Sequence, residues 1–167
     1  MVATVTAYNY TGETAATESS ATTYWNFMST DAADTTDSGY IAARVTAPTS
    51  GSAYSYERYG RFKFTDTFNA IENCLFWYTS GFGDTGLVVN GAAAVSGVTP
   101  VNTSSSVATS AVPVSEGTAL DIQNGTMESA DDYTKYVVLQ AVLATTISPG
   151  DITTGNWKLQ YDESWSK

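Results

Sequence analysis

The sequence predicts an all-β fold, an antiparallel β-sandwich of about eight strands in jelly-roll or immunoglobulin-like order. Three observations carry this. No segment of a dozen residues repeats its apolar positions with helical period. Short runs rich in Val, Thr, Tyr, Phe and Trp recur instead, separated by Gly, Pro, Asp, Asn and Ser. In the last run, Trp157, Leu159 and Tyr161 alternate with Asn156, Lys158, Gln160 and Asp162, the period-two pattern of a strand with one dry and one wet face. At 167 residues, one sandwich domain spanning 1–167 is expected.

The predicted strands fall at about 2–10, 23–29, 40–47, 54–65, 70–79, 85–96, 133–146 and 155–162. Within 54–65, Phe62 and Phe64 alternate with Arg61 and Lys63, again one face in and one out. Ile71 to Tyr78 and Tyr136 to Leu143 are apolar on both faces. They are expected to be central strands, covered on the second side by loops or by a partner subunit. Asp37-Ser38-Gly39, Pro48-Thr49-Ser50-Gly51 and Ser148-Pro149-Gly150-Asp151 have turn chemistry. Residues 97–132 form one long loop of small and polar residues, interrupted by a short strand near Thr118–Gln123. A connection of that length is expected to be an adaptable contact segment, ordered by neighbouring subunits.

Composition closes several function classes. The chain has no His, which excludes a Ser-His-Asp triad, a His general base and His-containing zinc sites. Its single Cys excludes an intramolecular disulfide and Cys-rich metal sites. Cys74, inside an apolar strand, reads as a small buried hydrophobe. Seven Lys and Arg against seventeen Asp and Glu give a net charge of −10. Scattered cations at that balance supply no field for phosphate, so no nucleic acid is expected as partner. An acidic halophilic shell fits less well, because charged residues are only 14% of the chain. No apolar stretch is long enough for a membrane span, no signal peptide is visible, and no membrane partner is expected.

Candidate chemistry is thin. Asp31, Asp34 and Asp37 could offer hard oxygen ligands to Ca²⁺, against the simpler reading of a solvated acidic loop. Glu128, Asp131 and Asp132 form a second such group. Trp25, Trp77, Trp157 and Trp165 could stack on sugar, yet Trp77 and Trp157 alternate into core faces. The glycines of Gly81-Phe82-Gly83-Asp84-Thr85-Gly86 lack the Lys and the helix of a phosphate loop. No pair of carboxylates is marked out for glycoside chemistry. A non-enzymatic protein without cofactor is the expectation.

One cluster stands out. Tyr54, Tyr56 and Tyr59 crowd beside Arg58 and Arg61, and Tyr and Arg are the residue types that anchor protein interfaces. A cross-strand aromatic ladder with Arg as cation–π partner is the structural alternative, and alternate residues allow both.

Ser55-Tyr56-Glu57-Arg58-Tyr59, then Phe62-Lys63-Phe64, Phe68-Asn69-Ala70-Ile71-Glu72-Asn73 and Phe76-Trp77, resembles a pattern in virion structural proteins of tailed phages. Thr99-Pro100-Val101-Asn102-Thr103, Tyr136-Val137-Val138-Leu139-Gln140 and the ending Gly155-Asn156-Trp157-Lys158-Leu159-Gln160-Tyr161-Asp162-Glu163 are similar to the same proteins. The likeness spans about residues 54–163. It implies a small β-sandwich on the virion exterior, assembled in the host cytoplasm, with the major capsid protein or tail and neck subunits as partners. A self-associating capsid decoration or cement protein is the expectation, with Tyr54, Tyr56, Arg58, Tyr59 and Arg61 as interface candidates. A tail, neck or fibre component is one alternative, and a carbohydrate-binding β-sandwich module is another.

Overall fold

The computed structural model describes residues 3–21, 25–33, 43–80, 82–148 and 155–164. Ten strands are found among them: β1 (Thr4–Thr11), β2 (Thr17–Ala21), β3 (Ser52–Tyr54), β4 (Arg58–Thr65), β5 (Ala70–Ser80), β6 (Leu87–Ala94), β7 (Ser110–Ala111), β8 (Leu120–Asp121), β9 (Tyr136–Ala144) and β10 (Asn156–Ser164). They build two antiparallel sheets. The larger runs β2-β1-β4-β9-β6-β7, with β3 also on β9, and the smaller runs β10-β5-β8. The expected all-β antiparallel sandwich is what the chain forms.

The two strands read as apolar on both faces are internal to their sheets: β9 lies between β4 and β6, and β5 between β10 and β8. Val137, Leu139, Ala141 and Leu143 of β9 meet Cys74, Phe76 and Tyr78 of β5 in the shared core. A bulge tunes β5. Asn73 takes φ +54°, and the pairing with β10 shifts register between Gln160 and Asp162. The extra residue lets Ile71 and Cys74 both face inward while Glu72 and Asn73 face water.

Trp25 fills the middle of the sandwich. Its ring stacks on Trp157 at 6.0 Å and 13°, and lies tilted against Phe62 and Phe76 at 5.8 Å. Only a glycine can sit under it: a Cβ on Gly60 of β4 would fall 2.2 Å from Cζ2 of Trp25. The strand expected over 23–29 therefore does not form in its described part. Trp25, Phe27 and Met28 are all buried, and the successive burial of Phe27 and Met28 breaks the alternation of a ladder. The 40–47 strand likewise reduces, among described residues, to the single bridge between Met28 and Arg44. The polar β2 carries no apolar alternation and is invisible to that criterion.

The predicted 54–65 strand is broken. β3 and β4 lie end to end along the same side of β9, interrupted at Ser55–Glu57. The long loop departs from expectation most. It contains β7, a 3-10 turn at Glu116–Thr118, and β8 inside the anticipated Thr118–Gln123 window. Ala108, Val112, Ile122 and Met127 from it are buried within the chain. These four residues anchor the segment on the chain's own hydrophobic clusters.

Candidate functional site

The outer face of the larger sheet carries the polar chemistry of the molecule, in two parts. Strand register sets the first. Tyr8 stands opposite Arg61 and Tyr10 opposite Tyr59 across β1 and β4, while Lys63 bridges to Tyr133 just before β9. These residues occupy the solvent side because Phe62 and Phe64 take the alternate, inner positions. The Arg61 guanidinium lies 4.9 Å over the Tyr133 ring and 4.7 Å over Tyr136, and its Nε donates to the Thr134 carbonyl at 2.7 Å. Lys63 Nζ approaches Tyr133 at 5.4 Å and pairs with Asp131 at 2.8 Å. Hydrogen bonding to Asp131 holds the Lys63 ammonium above its ordinary range. The Tyr10 hydroxyl donates to Glu18. Burial first, then Glu18, raises the Tyr10 hydroxyl, and the same two causes raise Tyr133. Arg61, Lys63 and Tyr133 remain half-buried, open to contact from outside.

The second part is closed. Ser55, Glu57, Ser105 and Gln140 are buried together where β3 gives way to β4. Glu57 accepts from the Ser105 hydroxyl through one carboxylate oxygen and from the Val101 N–H, at 3.3 Å, through the other. Gln140 Oε1 accepts the Ser105 N–H at 3.1 Å, and its Nε2 donates to the carbonyls of Ser55, Val101 and Thr103. Ser105 Oγ in turn accepts the N–H groups of Val107 and Ala108. Residues 101–108 are thereby strapped onto the sheet. Beneath them a small apolar cluster forms from Tyr10, Tyr59, Ala108, Tyr136 and Val138. This strap covers the second face of β9 around Gln140.

The interface candidates separate accordingly. Arg58 and Tyr59 are 1% and 0% exposed, which corrects their reading as surface anchors. Arg58 turns inward and donates Nη1 to the Ala32 carbonyl at 2.8 Å. Tyr59 faces outward but lies under the strap, with its hydroxyl 3.4 Å from Glu57. Burial raises that hydroxyl above its usual range. Tyr54 and Tyr56 are half-buried, and Tyr54 stands opposite Val142. Arg61 alone of the five belongs to the cation–aromatic patch. Tyr8, Lys63, Tyr133, Tyr136 and Glu18 complete it. They come from four distant stretches of chain, and only the wet alternation of Arg61 and Lys63 signals them in sequence.

Of the calcium candidates, Asp34 and Asp37 lie outside the described residues. Asp31 Oδ2 accepts the Gly12 N–H at 2.8 Å. Asp132 closes a turn by accepting from the N–H groups of Glu128 and Ser129, and Asp131 is taken by Lys63. No cluster of three or more metal-ligating side chains occurs among the described residues. Trp165 also lies outside them. Trp25 is buried in the core and Trp157 packs against it, whereas Trp77 departs from its expected core face. It is buried on the opposite face of β5 from Phe76, with Lys158 5.4 Å over its ring. No described indole is laid out as an open sugar platform. Cys74 is fully buried, and burial pushes its thiol to about 12. No helix among the described residues is long and apolar enough to cross a membrane.

No protein-family model, no curated protein and no solved structure matches this chain.

Proposed function

We propose that the chain is a structural protein of a tailed-phage particle, a decoration or cement subunit on the capsid exterior that acts by protein–protein contact. The observation that carries the reading is the half-exposed patch of Tyr8, Arg61, Lys63 and Tyr133, whose aromatic and Arg side chains are of the kind that anchor interfaces. The sequence likeness over residues 54–163 supports the choice of particle. The charge of −10 supports an exterior position, since it opposes contact with packaged genome. Stabilisation would come from interface area buried on the shell lattice, repeated by its symmetry.

Quantifying the chain in purified particles tests this. A shell protein is expected at on the order of hundreds of copies, a tail, neck or fibre component at tens. Arg61→Ala with Tyr133→Ala is expected to lower occupancy while the isolated domain still folds cooperatively. Absence from particles would reject the reading. Wild-type occupancy of the double variant would reject the patch as the contact.

A further inference from the structure

The buried groups where β3 gives way to β4 stand in an order that supports chemistry as well as packing. Ser105 Oγ donates to a Glu57 carboxylate oxygen. It also accepts the N–H groups of Val107 and Ala108, which stabilise negative charge on Oγ as its proton leaves. The Ser105 N–H donates to Gln140 Oε1 at 3.1 Å. A serine hydroxyl on a base, with the same serine's N–H on the oxygen of an acyl group, is the arrangement in which attack leaves the oxyanion already bonded. The other end of the Gln140 amide is equally specific. The carbonyls of Thr103, Ser55 and Val101 converge on Nε2 at 2.8, 3.0 and 3.2 Å, although an amide nitrogen carries only two hydrogens. That shell suits the three hydrogens of ammonia better than the amide it holds. Glu57, Ser105 and Gln140 are all buried, so bulk water does not compete as nucleophile.

We infer that this site closes an ester bond between Ser105 Oγ and Gln140 Cδ, a covalent cross-link that staples the strap to β9. Glu57 takes the hydroxyl proton as Oγ bonds to Cδ, and the carbonyl electron pair moves onto Oε1, where the Ser105 N–H holds it. The pair then returns, the Cδ–Nε2 bond breaks, and the proton carried by Glu57 passes to the departing nitrogen. Ammonia leaves, Glu57 is regenerated, and nothing is oxidised or reduced. Val101 joins the two ends of this step, with its N–H on Glu57 at 3.3 Å and its carbonyl on Nε2. The Tyr59 hydroxyl, 3.4 Å from the same Glu57 oxygen, helps hold the base in place. A single Cys denies the chain an internal disulfide, and an ester here restrains the unfolded chain in the same way. The bond forms in the isolated chain, with or without a particle.

Mass spectrometry of the purified, denatured chain tests this. The wild type is expected to be lighter than its sequence by one ammonia. Trypsin cuts after Lys135, between the two residues, so residues 64–135 and 136–158 are expected as one linked species that mild alkali separates. A full-mass chain with separate peptides would overturn the bond. So would ammonia loss with separate peptides, the mark of a succinimide at Asn124-Gly125. Loss of water, with residues 45–58 linked to 64–135, would overturn it in favour of Glu57 as the acyl group. Ser105→Ala is expected to restore the full mass and to lower the thermal midpoint. Glu57→Gln, checked for folding by circular dichroism, is expected to stay unlinked, and linkage at the wild-type yield would overturn the assigned base. The wild-type digest decides the bond by itself, however the variants fold.

Discussion

The knot around Glu57 and the patch around Arg61 stand on adjoining stretches of one sheet face, and they dispose of their polar groups in opposite ways. In the knot, both Glu57 oxygens and both ends of the Gln140 amide are used inside the chain. In the patch, Arg61 is oriented by its neighbours but keeps donors in reserve. The difference teaches which residues hold the fold and which can meet another molecule. Buried polar groups that satisfy one another fix a unique packing, and losing one member strands the rest. A half-exposed cation contributes little to stability and is correspondingly free for contact.

Substitution can push that contrast to its limits. Gln140→Leu is expected to be the most damaging change, because the Ser105 N–H and three carbonyls lose their partner at once. A loss of about 3 kcal/mol or more is expected in denaturant unfolding. Gly60→Ala comes next. Its new Cβ would enter the Trp25 ring, and overpacking of this sort costs about 1–3 kcal/mol. A Trp25→Leu background should relieve part of that cost, which a double-mutant cycle measures. Arg61→Ala should cost no more than about 1 kcal/mol, the scale of partly exposed cation–π contacts. Asp131→Asn, at the exposed end of the patch, should leave the unfolding midpoint unchanged.

Alkali should act on the buried side of the comparison. Cys74 is raised from 9.0 to about 12, and Tyr59 and Tyr78 are raised by burial from 10.0. Each group binds its proton more tightly folded than unfolded. Their contribution is complete below the unfolded values and declines as pH rises through and beyond about 9 to 10. Unfolding free energy measured against pH should fall across that window. A flat profile would show that these groups ionise in place.

Much of this could be read in the sequence, for identifiable reasons. Alternation in Trp157–Asp162 and Arg61–Phe64, and the two doubly apolar runs, located β10, β4, β5 and β9 because side-chain period reports directly on burial. Trp25, Phe27 and Met28 looked like a strand because local composition cannot distinguish a ladder from a plug. The Tyr–Arg cluster is conspicuous in sequence, yet residue type alone does not separate its members. Whether Tyr59 or Arg61 meets solvent depends on a strap more than 30 residues away, held by Ser105 and Gln140, two residues with no signature of their own. The Ser/Thr-rich loop likewise looked unable to order itself, since its apolar anchors Ala108, Val112, Ile122 and Met127 are sparse and widely spaced.

Hydrogen exchange of the isolated chain separates a self-closed knot from a segment that waits for a partner. The Ser105, Val107 and Ala108 amides, bonded to Gln140 Oε1 and Ser105 Oγ, should be protected together with the β9 ladder in the free protein. Exchange of these three amides at the rate of an unstructured chain, with protection gained only on assembly, would contradict the internal strap and return residues 97–132 to the role of a partner-ordered contact.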